Sequence, residues 1–210
     1  MKKYDVLVVG ASTTGCWFAY KMAEQGFKVL VIEKQQPDDV SREYDVFHMG
    51  KEDMERFDLF IPEEGDPLRE FSFAHSTMMS PYGNHPKACA EAPVIGLHKH
   101  DYIMAMADRA KKGGAKIIYG ASFVDFIYDD NNKIIGAKYN TDDGEKEAFA
   151  RIVADCSGIP AVARTKLPDT SAVGNFKLTN KDILYVVLYY AEYLKNDFNP
   201  RDLDGFFMQY

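Results

Sequence analysis

The sequence predicts an α/β fold: a central parallel sheet flanked by helices, with an antiparallel three-stranded meander attached. Three observations predict it. The first 34 residues read as a buried strand, a glycine turn, an amphipathic helix and a second buried strand ending in an acid. Residues 99–119 repeat the helix-then-strand order. Residues 122–150 switch to alternation broken by acidic turns, which is how consecutive hairpins read.

In the first unit, Val6–Val9 is apolar on both faces, as a central parallel strand between layers must be. The turn that follows, Gly10-Ala11-Ser12-Thr13-Thr14-Gly15, is a G-x-S-x-x-G variant of the dinucleotide-binding G-x-G-x-x-G. Gly10 permits the sharp exit from the strand, and Gly15 lets the helix lie close to the sheet. Ser12 adds a side chain where a pyrophosphate usually meets bare backbone, and its hydroxyl can donate a hydrogen bond. The helix is expected from about Thr14 to Gln25, with Cys16, Ala19 and Ala23 on the packing face and Lys21, Glu24 and Gln25 in water. Gly26 ends it.

Val29–Ile32 is the second strand, and Glu33 follows it, 18 residues after Gly15. An acid at that spacing is placed to accept hydrogen bonds from a ribose diol. The helix N-terminus offers unpaired N–H groups and partial positive charge to phosphates. Candidate cofactor-binding residues here are Gly10, Ser12, Thr13, Thr14, Gly15, Glu33 and Lys34.

Residues 35–97 show no repeating helical pattern and are rich in proline and glycine. Short strands are expected at Glu70–Ala74 and Val94–Leu97, in an excursion that builds part of a second region. Glu52-Asp53 and Glu63-Glu64 read as solvated surface. His48, His75 and His85 lack metal-ligand spacing, so no metal is expected. Met78-Met79 with Phe71 and Phe73 suit an apolar pocket or plain core packing.

A helix follows from Lys99, with Ile103, Met106, Ala107 and Ala110 at helical spacing, Asp101 near its start and Gly113-Gly114 at its end. Lys116–Tyr119 is the next strand. The meander is read as Ser122–Tyr128, Ile134–Tyr139 and Glu147–Ala150. A separate buried strand, Arg151–Ala154, then runs into Asp155-Cys156-Ser157-Gly158.

The bulk properties narrow the partners. A net charge of −7 and a pI near 5.3 argue against nucleic acid, which calls for a basic face. Cys16, Cys89 and Cys156 are odd in number and widely spaced, which suits a reducing cytoplasmic location over a disulfide framework. The apolar run Ile183–Ala191 is far short of the roughly 20 residues of a membrane span, so no integral membrane segment is expected.

This order of elements resembles the FAD-binding domain of the glutathione-reductase-type flavoproteins. Within them it most resembles the branch of the geranylgeranyl reductases and the aromatic hydroxylase-type monooxygenases. Gly10, Ser12 and Gly15 match that family's phosphate loop, and Glu33 matches its ribose acid. Lys99 stands where the family often has an arginine, keeping the charge without the bidentate geometry. Val124 matches the position whose backbone meets the adenine. Asp155-Cys156-Ser157-Gly158 resembles the D-A-T-G signature, and Ala161-Val-Ala-Arg164 resembles the S-x-x-R after it, without its serine.

The resemblance covers roughly residues 3–168 and implies a Rossmann-like FAD-binding domain with FAD as resident cofactor and NAD(P)H as a candidate electron donor. It implies a FAD-dependent oxidoreductase that reduces or hydroxylates an apolar or unsaturated small molecule. Residues 1–48 and 98–170 would form the FAD-binding domain, and residues 49–97 and 171–210 would be elements of a β-rich substrate domain. The family's later G-D-A motif does not occur where it should, and Gly65-Asp66 precedes Pro67 instead. The chain is therefore expected to hold the adenine half of the site and little of the flavin half, with Ile183–Tyr190 as the first long strand of the substrate-domain sheet. Cys156 is expected as a small buried residue at a tight turn, with a redox role as the alternative. The competing functional readings are a non-catalytic FAD- or nucleotide-binding remnant and a nicotinamide enzyme whose loop binds NAD.

Overall fold

The structure is a computed structural model that describes residues 3–42, 46–73, 76–79, 87–89, 93–169, 171–182 and 206–209. The chain forms two compact units. One comprises Met1–Glu43 and His100–Ile183, the other Tyr44–Lys99 and Leu184–Tyr210.

The first unit is built on a six-stranded sheet. Strand β1 (Lys3–Val9) leads through the glycine turn into helix α1 (Thr13–Glu24), and β2 (Val29–Ile32) returns parallel to β1. Gly26, at φ +80°, makes the left-handed turn that stops α1, with its N–H bonded to the Ala23 carbonyl (2.9 Å). Helix α3 (Lys99–Lys112) precedes strand β8 (Lys116–Ile118), which adds parallel to the outer edge of β2. α1 buries Gly15, Cys16, Ala19 and Ala23, the small face the spacing predicts. α3 buries Tyr102, Ile103, Met106, Ala107 and Ala110.

The meander consists of β9 (Ser122–Tyr128), β10 (Ile134–Thr141) and β11 (Gly144–Asp155). Its third strand and the returning buried strand, read as two from the sequence, are one continuous strand of 12 residues. Gly144–Phe149 pairs antiparallel with β10, and Phe149–Asp155 pairs parallel with β1. The sequence shows a change of pattern near Arg151 because the strand has changed partner at Phe149, not because it ends. One strand thus joins the meander to the parallel sheet, giving the order β8-β2-β1-β11-β10-β9. Gly136 of β10 marks the tightest point of this join. A Cβ there would overlap the Ala148 carbonyl oxygen of β11 and lie 2.9 Å from the Phe149 Cα.

The core beneath the meander draws on both the parallel strands and the meander. Leu7, Val9, Leu30 and Ile32 of the parallel strands gather with Phe126, Ala137, Tyr139, Ala148 and Ala150 of the meander. Alternation along β1 and β2 sends Val6, Val8, Val29 and Val31 to the opposite face.

The second unit contains two three-stranded sheets. In one, β7 (Val94–His98) is central and antiparallel to both β3 (Val46–Gly50) and β4 (Arg69–Phe73). In the other, β5 (Ser76–Met79) lies between β6 (Lys87–Cys89), antiparallel, and β12 (Phe206–Gln209), parallel. The expected strands near 70–74 and 94–97 are therefore present. The segment, which shows no repeating helical pattern, does hold one short helix, α2 (Lys51–Arg56). Its six residues are too few to display a period, and it buries the single side chain of Met54. Glu52, Asp53, Glu63 and Glu64 are exposed, as read. His75, His85 and the strand expected at Ile183–Tyr190 lie outside the described residues, as do the side chains of Phe73, Met78 and Met79.

Leu7 is fully buried in the cluster shared by the sheet and the meander. Leu7→Ala is expected to lower unfolding stability by about 2–5 kcal/mol, the cost of a core cavity, read as a fall in the urea midpoint of the first unit's transition.

Candidate cofactor site

The site lies at the C-terminal ends of β1, β2 and β11, where open α/β sheets bind their ligands. Its floor is a close crossing of three backbones. Gly10, at φ +103°, leaves β1, with its N–H bonded to the Ile32 carbonyl (2.8 Å). The Cys156 N–H bonds the Val9 carbonyl (2.8 Å), which carries the chain leaving β11 directly over Gly10. A Cβ at Gly10 would stand 2.5 Å from the Cys156 carbonyl oxygen. At Gly15 a Cβ would overlap the Gly10 carbonyl oxygen. Both glycines are thus required by packing, and Gly10 by its turn geometry as well.

α1 starts at this crossing. Ser12 is its N-cap residue, with extended φ −83° and ψ −165°, and the first intrahelical bond runs from Cys16 N–H to the Ser12 carbonyl (2.9 Å). The N–H groups of Thr13, Thr14 and Gly15 precede that bond. The first turn carries no acidic side chain, and the Ser12 hydroxyl makes no capping bond. The hydroxyl instead meets that of Ser41 (2.9 Å).

Glu33 is 6% exposed. Its Oε2 accepts the Ala11 N–H (2.7 Å) and its Oε1 accepts the Gln35 N–H (2.9 Å). A carboxylate oxygen accepts more than one hydrogen bond, so capacity is left for ribose hydroxyls. The acid therefore steadies the phosphate loop while facing the cleft. That cleft, about 120 Å³, is lined by Val9, Gly10, Ile32, Glu33 and Lys34 on one side and by Ala121, Ser122, Phe123, Ser157, Pro160 and Val162 on the other.

Asp155 ends β11 and serves the loop after it. Its Oδ1 accepts the Ser157 N–H (3.0 Å) and hydroxyl (2.6 Å), and its Oδ2 accepts the N–H groups of Ala163 (3.0 Å) and Arg164 (2.7 Å). The Ser157 hydroxyl oxygen also accepts the Val162 N–H (2.9 Å). Gly158 turns this loop at φ +74°. The Arg164 guanidinium donates to the Gly174 carbonyl (2.8 Å) and lies 4.2 Å from the centre of the Phe176 ring.

The structure brings Gly10, Ser12, Thr13, Thr14, Gly15, Glu33, Lys34, Cys156, Ser157 and Gly158 to one end of the sheet. Val124 lies in β9 beyond the lining residues, and Ala121, Ser122 and Phe123 form that wall instead. Lys99 opens α3 and is not among the residues lining the cleft. Sequence reasoning passed over Ala121, Ser122, Pro160, Val162 and Ser41. The small pair after Gly120 at the end of β8 was the available signal for the first two. Ser41 had none, because its role depends on a left-handed turn.

The thiols fit packing and not redox chemistry. Cys16 is fully buried, and its thiol donates to the Ala11 carbonyl (3.0 Å). Burial, with help from the Glu33 charge, raises Cys16 from its ordinary 9.0 to about 12. Burial and then Asp155 raise Cys156 from 9.0 to about 11. Among the described residues no group of three or more His, Cys, Asp or Glu residues could hold a metal ion. No helix among them is long and apolar enough to cross a membrane.

These residues fit a dinucleotide: glycines that admit close backbone approach, an uncapped helix start, and a buried acid beside an adenine-sized cleft. The family model described as FAD binding domain matches residues 3–194. The 1H-pyrrole-2-carbonyl-(peptidyl-carrier protein) brominase of Pseudoalteromonas luteoviolacea is 24% identical over 166 residues, covering 75% of this chain and 38% of that protein. Digeranylgeranylglycerophospholipid reductase of Haloferax volcanii is 25% identical over 155 residues, covering 74% of this chain and 35% of that protein. Among solved structures, a geranylgeranyl bacteriochlorophyll reductase-like protein of Thermoplasma acidophilum superposes with a TM-score of 0.67 at 24% identity, covering 79% of this chain and 42% of that chain. The chain thus spans well under half the length of each of these proteins.

Two outcomes follow from this geometry. Asp155→Asn removes acceptor capacity from a four-bond hub and is expected to cost about 0.5–1.5 kcal/mol in urea unfolding, with faster proteolysis between residues 157 and 164. The raised thiols stay neutral when folded, so their contribution to stability is complete below the ordinary 9.0 and is lost as pH climbs toward 11 and 12. At pH 8, iodoacetamide followed by peptide mapping should leave Cys16 and Cys156 unmodified in folded protein and alkylate both in urea.

Proposed function

The chain belongs to the FAD binding domain family, and on that premise we propose that it is the N-terminal portion of a FAD-dependent oxidoreductase. The observation that carries this reading is the convergence of the open α1 N-terminus, the buried Glu33 carboxylate and the cleft walled by Ala121–Phe123 at one end of the sheet.

Each element has a part in holding the cofactor. The N–H groups of Thr13, Thr14 and Gly15, with the positive end of the α1 dipole, receive the pyrophosphate. Glu33 accepts the ribose hydroxyls of the adenosine. Ala121, Ser122 and Phe123, which line the cleft, would bound the adenine. Asp155 and Ser157 hold the loop that closes over the site, and Lys34 stands at its mouth. When bound, FAD supplies hydride transfer or oxygen activation. A protein of this kind needs no acid, base or nucleophile of its own in the adenosine half.

Residues 1–48 and 98–170 form the FAD-binding domain, and residues 49–97 and 171–210 belong to the substrate domain. The substrate is an apolar or unsaturated small molecule, reduced or hydroxylated, with NAD(P)H as electron donor. The digeranylgeranylglycerophospholipid reductase and the geranylgeranyl bacteriochlorophyll reductase-like protein, both with isoprenoid names, support the apolar class.

Titration of the purified chain with FAD tests the reading directly: binding gives a yellow protein with quenched flavin fluorescence. Failure to bind either FAD or ADP would sink it. Glu33→Ala is expected to weaken FAD by about 1–3 kcal/mol, since ribose hydroxyls lose their acceptor. Unchanged affinity would remove Glu33 from the site.

A further inference from the structure

Among the described residues the buried polar side chains are Glu33 and Ser41, 6% and 4% exposed, and both reach the phosphate loop. Glu33 holds the Ala11 N–H, and Ser41 holds the Ser12 hydroxyl (2.9 Å). Ser41 does so from φ +59°, a left-handed conformation that its Cβ disfavours. Its neighbours fix it there. The His100 Nδ1–H donates to the Val40 carbonyl (2.8 Å), Val40 is buried, and the Arg42 Nε–H donates to the Asp38 carbonyl (3.0 Å). A strained conformation anchored from both sides calls for a functional reason.

Ser12 supplies one. Serine is among the best N-cap residues because its oxygen accepts an N–H from the helix's own first turn. The Ser12 backbone already has N-cap geometry, yet its side chain makes no capping bond. A serine at this place in the loop would block the site by bonding the N–H groups that a pyrophosphate needs.

We propose that Ser41 is a positioning residue that draws the Ser12 hydroxyl away from the α1 N-terminus, keeping the N–H groups of Thr14 and Gly15 open to an anionic diphosphate. The pair thereby offsets the replacement of the middle glycine in G-x-S-x-x-G. This inference rests on the FAD reading above.

Calorimetric titration of the full chain with ADP and with FAD tests it. Ser41→Ala removes the hydroxyl and retains the backbone strain; Ser41→Gly removes both and guards against a variant that fails to fold. Each is expected to bind ADP about five- to tenfold more weakly, the scale of a regained helix cap. In a Ser12→Gly background, where no hydroxyl competes, the same changes at Ser41 should alter affinity less than twofold. Unchanged ADP affinity in the folded Ser41 variants overturns the inference. So does an equal loss in the Ser12→Gly background, which would make Ser41 a packing residue only. If the unmodified chain bound neither ligand, the functional reading would fail first and take this inference with it.

Discussion

The contact on which the rest of the first unit depends is the crossing of backbones at Gly10. β1, α1 and the end of β11 approach there so closely that neither Gly10 nor Gly15 has room for a Cβ. Interiors pack at crystal-like density, so such a crossing cannot be relaxed by small shifts. It fixes where α1 begins relative to the sheet, and hence where its unpaired N–H groups stand. It also fixes where the Asp155–Gly158 loop leaves β11.

Around that crossing, the polar side chains act first on the protein and only then on a ligand. Glu33 steadies Ala11 and Gln35 through their N–H groups, and Asp155 organises the turn through Arg164. A buried carboxylate such as Glu33 keeps its charge at tolerable cost only when donors surround it, and here backbone donors do so. The result is a site held in shape before any cofactor arrives, which reduces what binding must order. The two cysteines share this logic, Cys16 fully buried and Cys156 half-buried, with thiols kept neutral by desolvation.

The continuous β11 gives this site its second wall. Because one strand serves both the meander and the parallel sheet, Phe126 and Tyr139 pack against the same cluster as Leu7 and Ile32. The chain at the start of β9 is thereby carried to the cleft beside Glu33. A meander joined by a flexible link would not fix that distance.

The sequence by itself determined the βαβ unit, the second helix and strand, the hairpins, and the acid at the end of β2. These are local: a period of two or 3.6, a glycine at a turn and a fixed spacing reveal them in one dimension. The likeness to flavoproteins was legible for the same reason. Tertiary structure alone decided that β11 is one strand, since a change of partner looks like a break when only hydrophobic pattern is read. It also decided that Ala121–Phe123 wall the cleft ahead of Val124, that Gly10 is needed by Cys156, and that Ser41 reaches Ser12. Each of those depends on segments 29 to 146 residues apart meeting in space. Proximity of that kind leaves no period in the sequence from which it could be read.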